Sequence, residues 1–232
     1  MNAADLFQRH GFVSLPGLLD EVQCAQLIGK LPTISGAGAR ALLAQPWCAS
    51  LARRLLASNG LAGIVPTGHV AVQCTFFEKS EAVNWLVPVH QDLSIPVRER
   101  IEAEGLRGWS LKEDGWYVQP PLAVLEQLVA VRIHLDECGT DDGPLYMMPG
   151  SHAQGVINAR DAASMRVHEQ AFLAKAGDAL AMRPLLLHRS SKSNGTSRRR
   201  VLHFLFGPAS MPQGIEWREQ EGVCYESCRR NN

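Results

Sequence analysis

The sequence carries no net charge: 23 basic and 23 acidic residues balance over 232 positions. That removes the electrostatic case for nucleic acid or an anionic membrane surface as main partner. Also missing is any uninterrupted apolar stretch long enough to span a bilayer. The first residues, Met1 to His10, lack the basic start and apolar run of a secretory signal, so a cytoplasmic location is expected. No repeat, low-complexity tract or linker divides the chain, and its length suits one domain with a well-filled core. Paired metal-binding cysteines are absent too. Of Cys24, Cys48, Cys74, Cys138, Cys224 and Cys228, only the last two are close, and they lack the second ligand pair of a zinc site. In a cytosolic setting all six are expected as reduced thiols. The 46% hydrophobic and 20% charged content is otherwise that of an ordinary globular protein.

The chain opens on helical patterns. Asp5–His10 reads as a short helix broken by Gly11, and Phe12-Val-Ser-Leu follows as a strand. Asp20 caps a helix expected from about Glu21 to Leu31, with Cys24, Leu27, Ile28 and Leu31 facing inward. A small-residue run from Ser35 reads as a loop, and another amphipathic helix covers about Pro46 to Ser58. Extended segments then take over: His69–Glu78, Leu86–Asp92, Gln127–Asp136, Pro144–Met148, Ala179–Met182, Leu185–His188 and Arg200–Phe206. Turn signals such as Asp142-Gly143-Pro144, Pro149-Gly150-Ser151 and Gly177-Asp178 separate them. Helices followed by many short strands predict a mainly β jelly roll buttressed by N-terminal helices. Helical support spans about 1–62 and the barrel about 63–210. The insertion at about 97–121, with Trp109, Trp116 and Tyr117, reads either as a lid or as a helical excursion packed on the barrel.

The most informative residues are His90-Gln91-Asp92. They follow Val87-Pro88-Val89, which favours an extended backbone, so His90 and Asp92 share one face and Gln91 points away. An imidazole and a carboxylate on one face suit adjacent positions on a metal, and a second His completes the facial triad of nonheme iron oxygenases. Downstream, a strand runs up to His188, a polar turn follows, and Arg198-Arg199-Arg200 enters the apolar strand Val201-Leu202-His203-Phe204. An Arg at that position needs an anion or other acceptors, and a bidentate bond to a carboxylate would supply one. Strand alternation puts Arg199 and Arg200 on opposite faces, so only one points inward.

Taken together, His90-Gln91-Asp92, Asp142-Gly143-Pro144-Leu145 with Met148-Pro149-Gly150-Ser151-His152, and His188 with Ser190, Asn194 and Arg199-Arg200 resemble the phytanoyl-CoA dioxygenase family. The opening Gly11-Phe-Val-Ser-Leu-Pro-Gly17 is similar to that family's start, so the resemblance runs over nearly the whole chain. It implies a double-stranded β-helix, cupin-like, with Fe(II) held by His90, Asp92 and His188. 2-Oxoglutarate and O2 would be the co-substrates. The distal carboxylate of 2-oxoglutarate would fall to Arg199, with Arg200 as the neighbouring alternative, and Ser190 and Arg132 would stand beside it. Arg132 and His134 share a face where the family often carries an aromatic. Structural roles are expected for His134 and His152.

The reaction implied is hydroxylation of an unactivated C–H bond of a small organic molecule, with release of succinate and CO2. A halogenating relative would have a small residue in place of Asp92. Substrate contacts are expected from Trp109, Trp116, Tyr117 and Arg98. Two competing readings are a metal-binding sensor or scaffold without turnover, and a cupin-like metalloenzyme that does not use 2-oxoglutarate and would not need a buried Arg199.

Overall fold

Capping chemistry sets the first helices. In the computed structural model, which describes residues 1–34, 36, 38–112 and 115–221, α1 (Ala3–His10) starts where the Asn2 side chain accepts from the Asp5 N–H at 2.9 Å. Asp5 returns the bond to the Asn2 N–H, and Gly11 ends the helix at φ 81°, a left-handed conformation that favours glycine. Strand β1 (Phe12–Leu15) follows. Asp20 and Gln23 form a second reciprocal cap at the start of α2 (Glu21–Ile28), where Cys24 and Leu27 are buried. A two-residue strand β2 (Gly38–Ala39) interrupts the expected loop, and α3 (Pro46–Leu56) starts at proline, which needs no donor there.

The remaining elements are β3 (His69–Lys79), β4 (Val87–His90), β5 (Ile95–Val97), β6 (Arg107–Lys112), β7 (Gly115–Gln119) and α4 (Leu122–Leu125). Then come β8 (Val129–His134), β9 (Leu145–Met147), α5 (Ala159–Ser164), β10 (Gln170–Phe172), β11 (Ala179–Met182), β12 (His188–Ser190) and β13 (Arg199–Pro208). The strands form a six-stranded sheet in the order β1-β11-β8-β13-β3-β2, a four-stranded sheet β10-β9-β12-β4 and a three-stranded sheet β5-β7-β6. All strand pairs are antiparallel. This is the mainly β jelly roll that the strand pattern predicts.

The six-stranded sheet is buried on both faces, and alternation assigns the sides. Val129, Val131 and Ile133 of β8, with Leu202, Phe204 and Phe206 of β13, pack against Phe7, Leu27, Leu51 and Leu55 of the helices. Their neighbours Ala130, Leu180, Met182 and Leu205 face the opposite way, toward Leu145, Met147 and Phe172. Each fully buried Leu or Phe of these layers stabilises by about 1.5–3 kcal/mol, so both faces contribute. Cys24, Cys48, Cys74 and Cys138 are buried free thiols, while Cys224 and Cys228 lie outside the described residues. No helix among the described residues is long and apolar enough to cross a membrane.

Two expectations need correction. The stretch Leu185–Leu187 is not strand; β12 starts only at His188. Its apolar side chains are buried, but its backbone is satisfied elsewhere: the Leu186 N–H donates to Arg183 O, and the Leu187 N–H to Ser151 Oγ at 2.9 Å. Burial without a ladder looks the same in sequence. The insertion at about 97–121 is not a helical excursion. It folds as the β6–β7 hairpin paired with β5, where Trp109 and Trp116 meet edge to face at 6.1 Å.

Candidate active site

β4 and β12 lie side by side with His90 directly opposite His188, and the two imidazole centroids are 4.2 Å apart. One residue on, the Gln91 amide donates to Leu185 O at 2.6 Å and Gly155 O at 2.8 Å, and accepts from the Ile157 N–H at 2.8 Å. The Asp92 N–H donates to Pro184 O at 2.9 Å. These bonds fix the chain between His90 and Asp92 and turn the carboxylate toward both rings. Oδ1 lies 3.4 Å from His90 Nε2, and Oδ2 lies 3.6 Å from His188 Nε2. The ligand atoms of His90, Asp92 and His188 are all within 4.8 Å of one another.

Tautomer matters as much as distance. His90 Nδ1 lies 2.9 Å from Pro88 O, and His188 Nδ1 lies 2.9 Å from Leu186 O. A carbonyl only accepts, so each Nδ1 carries the hydrogen, and in the neutral ring each Nε2 keeps a free lone pair on the side where Asp92 stands. Burial pushes His188 down to about 4, only partly offset by Asp92, so its ring is neutral at ordinary pH. For His90, burial is outweighed by the hydrogen bond and charge of Asp92, which raise it. Burial likewise opposes ionisation of Asp92, yet His188 and His90 hold it well below the usual carboxylate range. Two nitrogen lone pairs and one anionic oxygen converge on one point, which fits a divalent cation.

Gln91 carries no chemistry of its own, and its partners lie far from it along the chain. Gln91→Leu is expected to cost roughly 1–3 kcal/mol of stability through the unpaired backbone groups it leaves. Metal affinity should also fall ~10–100-fold, as when an outer support of a metal site is removed. Urea unfolding and iron titration would read the two effects; unaltered iron affinity would leave Gln91 only a structural role.

The triad opens into a cavity of about 380 Å³. Its opposite wall is the inner face of the six-stranded sheet, where register sets the rungs: Lys79 beside Arg199, Phe77 beside Val201 and His134, Thr75 beside His203 and Arg132. Arg199 is buried and lines the cavity; one guanidinium nitrogen donates to Gly143 O while Nε has no partner among the described residues. Gly143, at φ 66°, leaves no room for a Cβ, which would fall 2.6 Å from Ser191 O. That close approach docks the Asp142-Gly143 turn onto the loop after β12, where the Asn194 N–H also donates to Asp141 O at 2.7 Å. Arg132 stands over the Phe77 ring at 5.6 Å, its Nε likewise unpartnered. Burial first, then Arg199, brings its guanidinium down to about 9. Arg200 points to the other face and is clamped by Asp136 at 2.8 and 2.7 Å. Two buried guanidiniums without a carboxylate among the described residues call for an anion between them.

The other candidates are divided. Ser190 and Tyr117 line the cavity, and the Tyr117 hydroxyl accepts from the Gln73 amide at 3.3 Å. Trp109 and Trp116 pack beside the core between the sheets, and Arg98 pairs with Glu216; none of the three lines the cavity. His134 is buried against Phe172, with both ring nitrogens unpartnered among the described residues and its basicity suppressed by burial. His152 packs against Gly11, with Nε2 3.2 Å from Gln8 O, away from the cavity. Gln73, Thr75 and His203 also line the cavity, with Lys79 beside Arg199 behind its wall, and no sequence motif marks these four. Gln73, Thr75 and Lys79 fall on one face of β3 by strand alternation, and that shared face is the signal the sequence offers for them.

His203 also titrates in a defined direction. Burial pushes it down to about 4, against about 6.5 in an unfolded chain. Between those values the unfolded state binds more protons, so this contribution to stability is lost as pH falls from about 6.5 toward 4. Urea unfolding of His203→Gln should therefore show a flatter pH dependence across that window; parallel curves would contradict a buried neutral imidazole.

A family model described as phytanoyl-CoA dioxygenase matches residues 7–201. The chain belongs to the phytanoyl-CoA dioxygenase family. Among solved structures, the carbocyclase SnoK from nogalamycin biosynthesis, described as alpha-ketoglutarate dependent, has a TM-score of 0.64 at 16% identity, over 89% of this chain and 83% of that one. EctD from S. alaskensis has a TM-score of 0.66 at 17% identity, covering 90% and 78%. HygX from Streptomyces hygroscopicus, solved with nickel and 2-oxoglutarate bound, has 0.60 at 16%, covering 89% and 86%. At these identities the likeness is one of fold. Among curated proteins none matches the chain in sequence.

Proposed function

We propose that this family member is an Fe(II)- and 2-oxoglutarate-dependent dioxygenase that hydroxylates an unactivated C–H bond of a small organic molecule, the whole chain acting as one domain. The observation that carries the reading is one cavity holding both the converging His90, Asp92 and His188 and the buried, carboxylate-free Arg199. His90, Asp92 and His188 hold the iron, and Arg199 receives the distal carboxylate of 2-oxoglutarate, with Arg132 and Ser190 beside it. Bound there, iron and 2-oxoglutarate supply the oxidant, consuming O2 and releasing succinate and CO2. Residues of this chain do the rest. The Pro88 and Leu186 carbonyls keep the ligand imidazoles in one tautomer, and Leu93, Ile95, Leu128 and Leu205 keep the cavity dry. Tyr117, Gln73, Thr75 and His203 offer polar contacts to the substrate. A cavity of about 380 Å³ suits a small substrate beside the co-substrate.

Anaerobic titration of Fe(II) and 2-oxoglutarate into the metal-free protein tests this directly. A visible charge-transfer band should form, vanish in His90→Ala and weaken in Arg199→Ala. No band in folded, iron-loaded protein would move the sensor or the 2-oxoglutarate-independent metalloenzyme ahead. Once a substrate is found, product mass separates outcomes: one added oxygen for hydroxylation, two lost hydrogens for the ring closure that a carbocyclase performs, no change for epimerisation.

A further inference from the structure

The cations of this protein sort by face. On the outside, Arg198 pairs with Glu78, Arg200 with Asp136 and Arg189 with Glu169. On the inner face Lys79, Arg132 and Arg199 have no carboxylate partner among the described residues. Lys79 is the unexplained member. It is 1% exposed, sits in direct register with Arg199 and lies behind the cavity wall, its ammonium 5.2 Å from the centre of the Trp85 ring. A buried ammonium is costly unless its hydrogens are used. Two are: one goes to Ser190 Oγ at 2.9 Å and another to Ser191 O.

The bond to Ser190 has a directional consequence. A hydroxyl oxygen that accepts from an ammonium must turn its own hydrogen elsewhere. Ser190 lines the cavity, and its hydroxyl hydrogen has no acceptor among the described residues. We propose that Lys79 is a positioning residue for the co-substrate, holding the Ser190 hydroxyl so that it donates to the carboxylate that Arg199 pairs with. This rests on the 2-oxoglutarate reading above. Lys79 never touches the co-substrate; it fixes one donor and adds a third positive charge behind the two guanidiniums. Burial, then Arg199 and Arg132, bring its ammonium down to about 7, the mark of a cation placed where a counter-anion is missing.

The test uses full-length, iron-loaded protein without oxygen and calorimetric binding of 2-oxoglutarate. Oxalate, which carries the metal-chelating end but no distal carboxylate, serves as the control. Lys79→Met should weaken 2-oxoglutarate ~10–100-fold, leave oxalate within about twofold, and raise the 2-oxoglutarate KM without lowering kcat at saturation. Ser190→Ala should weaken it less, and the double variant should be no worse than Lys79→Met alone, since both remove one pathway. Lys79→Arg, which keeps a donor, should recover part of the loss. Multiplicative effects in the double variant would overturn the route through Ser190, and an unchanged 2-oxoglutarate Kd in folded Lys79→Met would overturn the role altogether. Wild-type protein that binds iron but no 2-oxoglutarate would instead remove the reading on which this inference stands.

Discussion

Replacing His90, Asp92 or His188 by alanine is expected to abolish turnover and weaken iron binding on the order of a hundredfold or more. The scale follows from zinc sites, where ~10–16 kcal/mol is spread over four ligands, roughly 3 kcal/mol each. The three losses should differ in kind. Asp92→Ala removes the only carboxylate that lines the cavity among the described residues, leaving two imidazoles among several cations, and should be the most damaging to affinity for a divalent ion. His188→Ala empties a buried position and should also destabilise the fold. His90 is more exposed, so its variant should melt close to wild type while failing to bind metal. Iron stoichiometry after anaerobic reconstitution, read beside thermal unfolding, separates these cases. Full iron occupancy in any folded variant would remove that residue from the ligand set.

Arg199→Ala should raise the KM and Kd for 2-oxoglutarate by ~10²–10³, the effect of removing one partner of a buried charge pair worth about 2–5 kcal/mol. Arg200→Ala provides the internal comparison. Its guanidinium is held by Asp136 on the other face of the same strand, so it should leave co-substrate affinity within about twofold. It should instead cost a modest amount of stability, on the order of 1 kcal/mol for a partly exposed pair. Equal effects from the two variants would mean that strand alternation does not decide which arginine meets the anion.

Residues whose roles are local were legible in the sequence. Asp20 sits three residues before Gln23 and caps α2 as expected, because a cap depends only on its own turn. The opposite facing of Arg199 and Arg200 follows from the two-residue period of a strand. The shared face of His90 and Asp92 has the same origin, although β4 ends at His90. What stayed hidden depends on partners distant in sequence. Leu185–Leu187 look like strand until Ser151 takes one of their donors. Gln91 looks idle until Gly155, Ile157 and Leu185 arrive around it. Lys79 reads as the solvated end of a strand, and only the register with Arg199 puts it behind the cavity wall. Trp109 and Trp116 are the bulkiest side chains of the insertion, yet neither lines the cavity, whereas Lys112 and Tyr117 of the same hairpin do.

Each of the two facing imidazoles gives its Nδ1 hydrogen to a carbonyl two residues earlier on its own chain, Pro88 for His90 and Leu186 for His188. Every amino acid supplies that carbonyl. The aim of both rings is therefore encoded in main-chain geometry and survives exchange of the side chains around it. Directed evolution of the cavity walls can then alter what enters without realigning the two ring nitrogens that face Asp92.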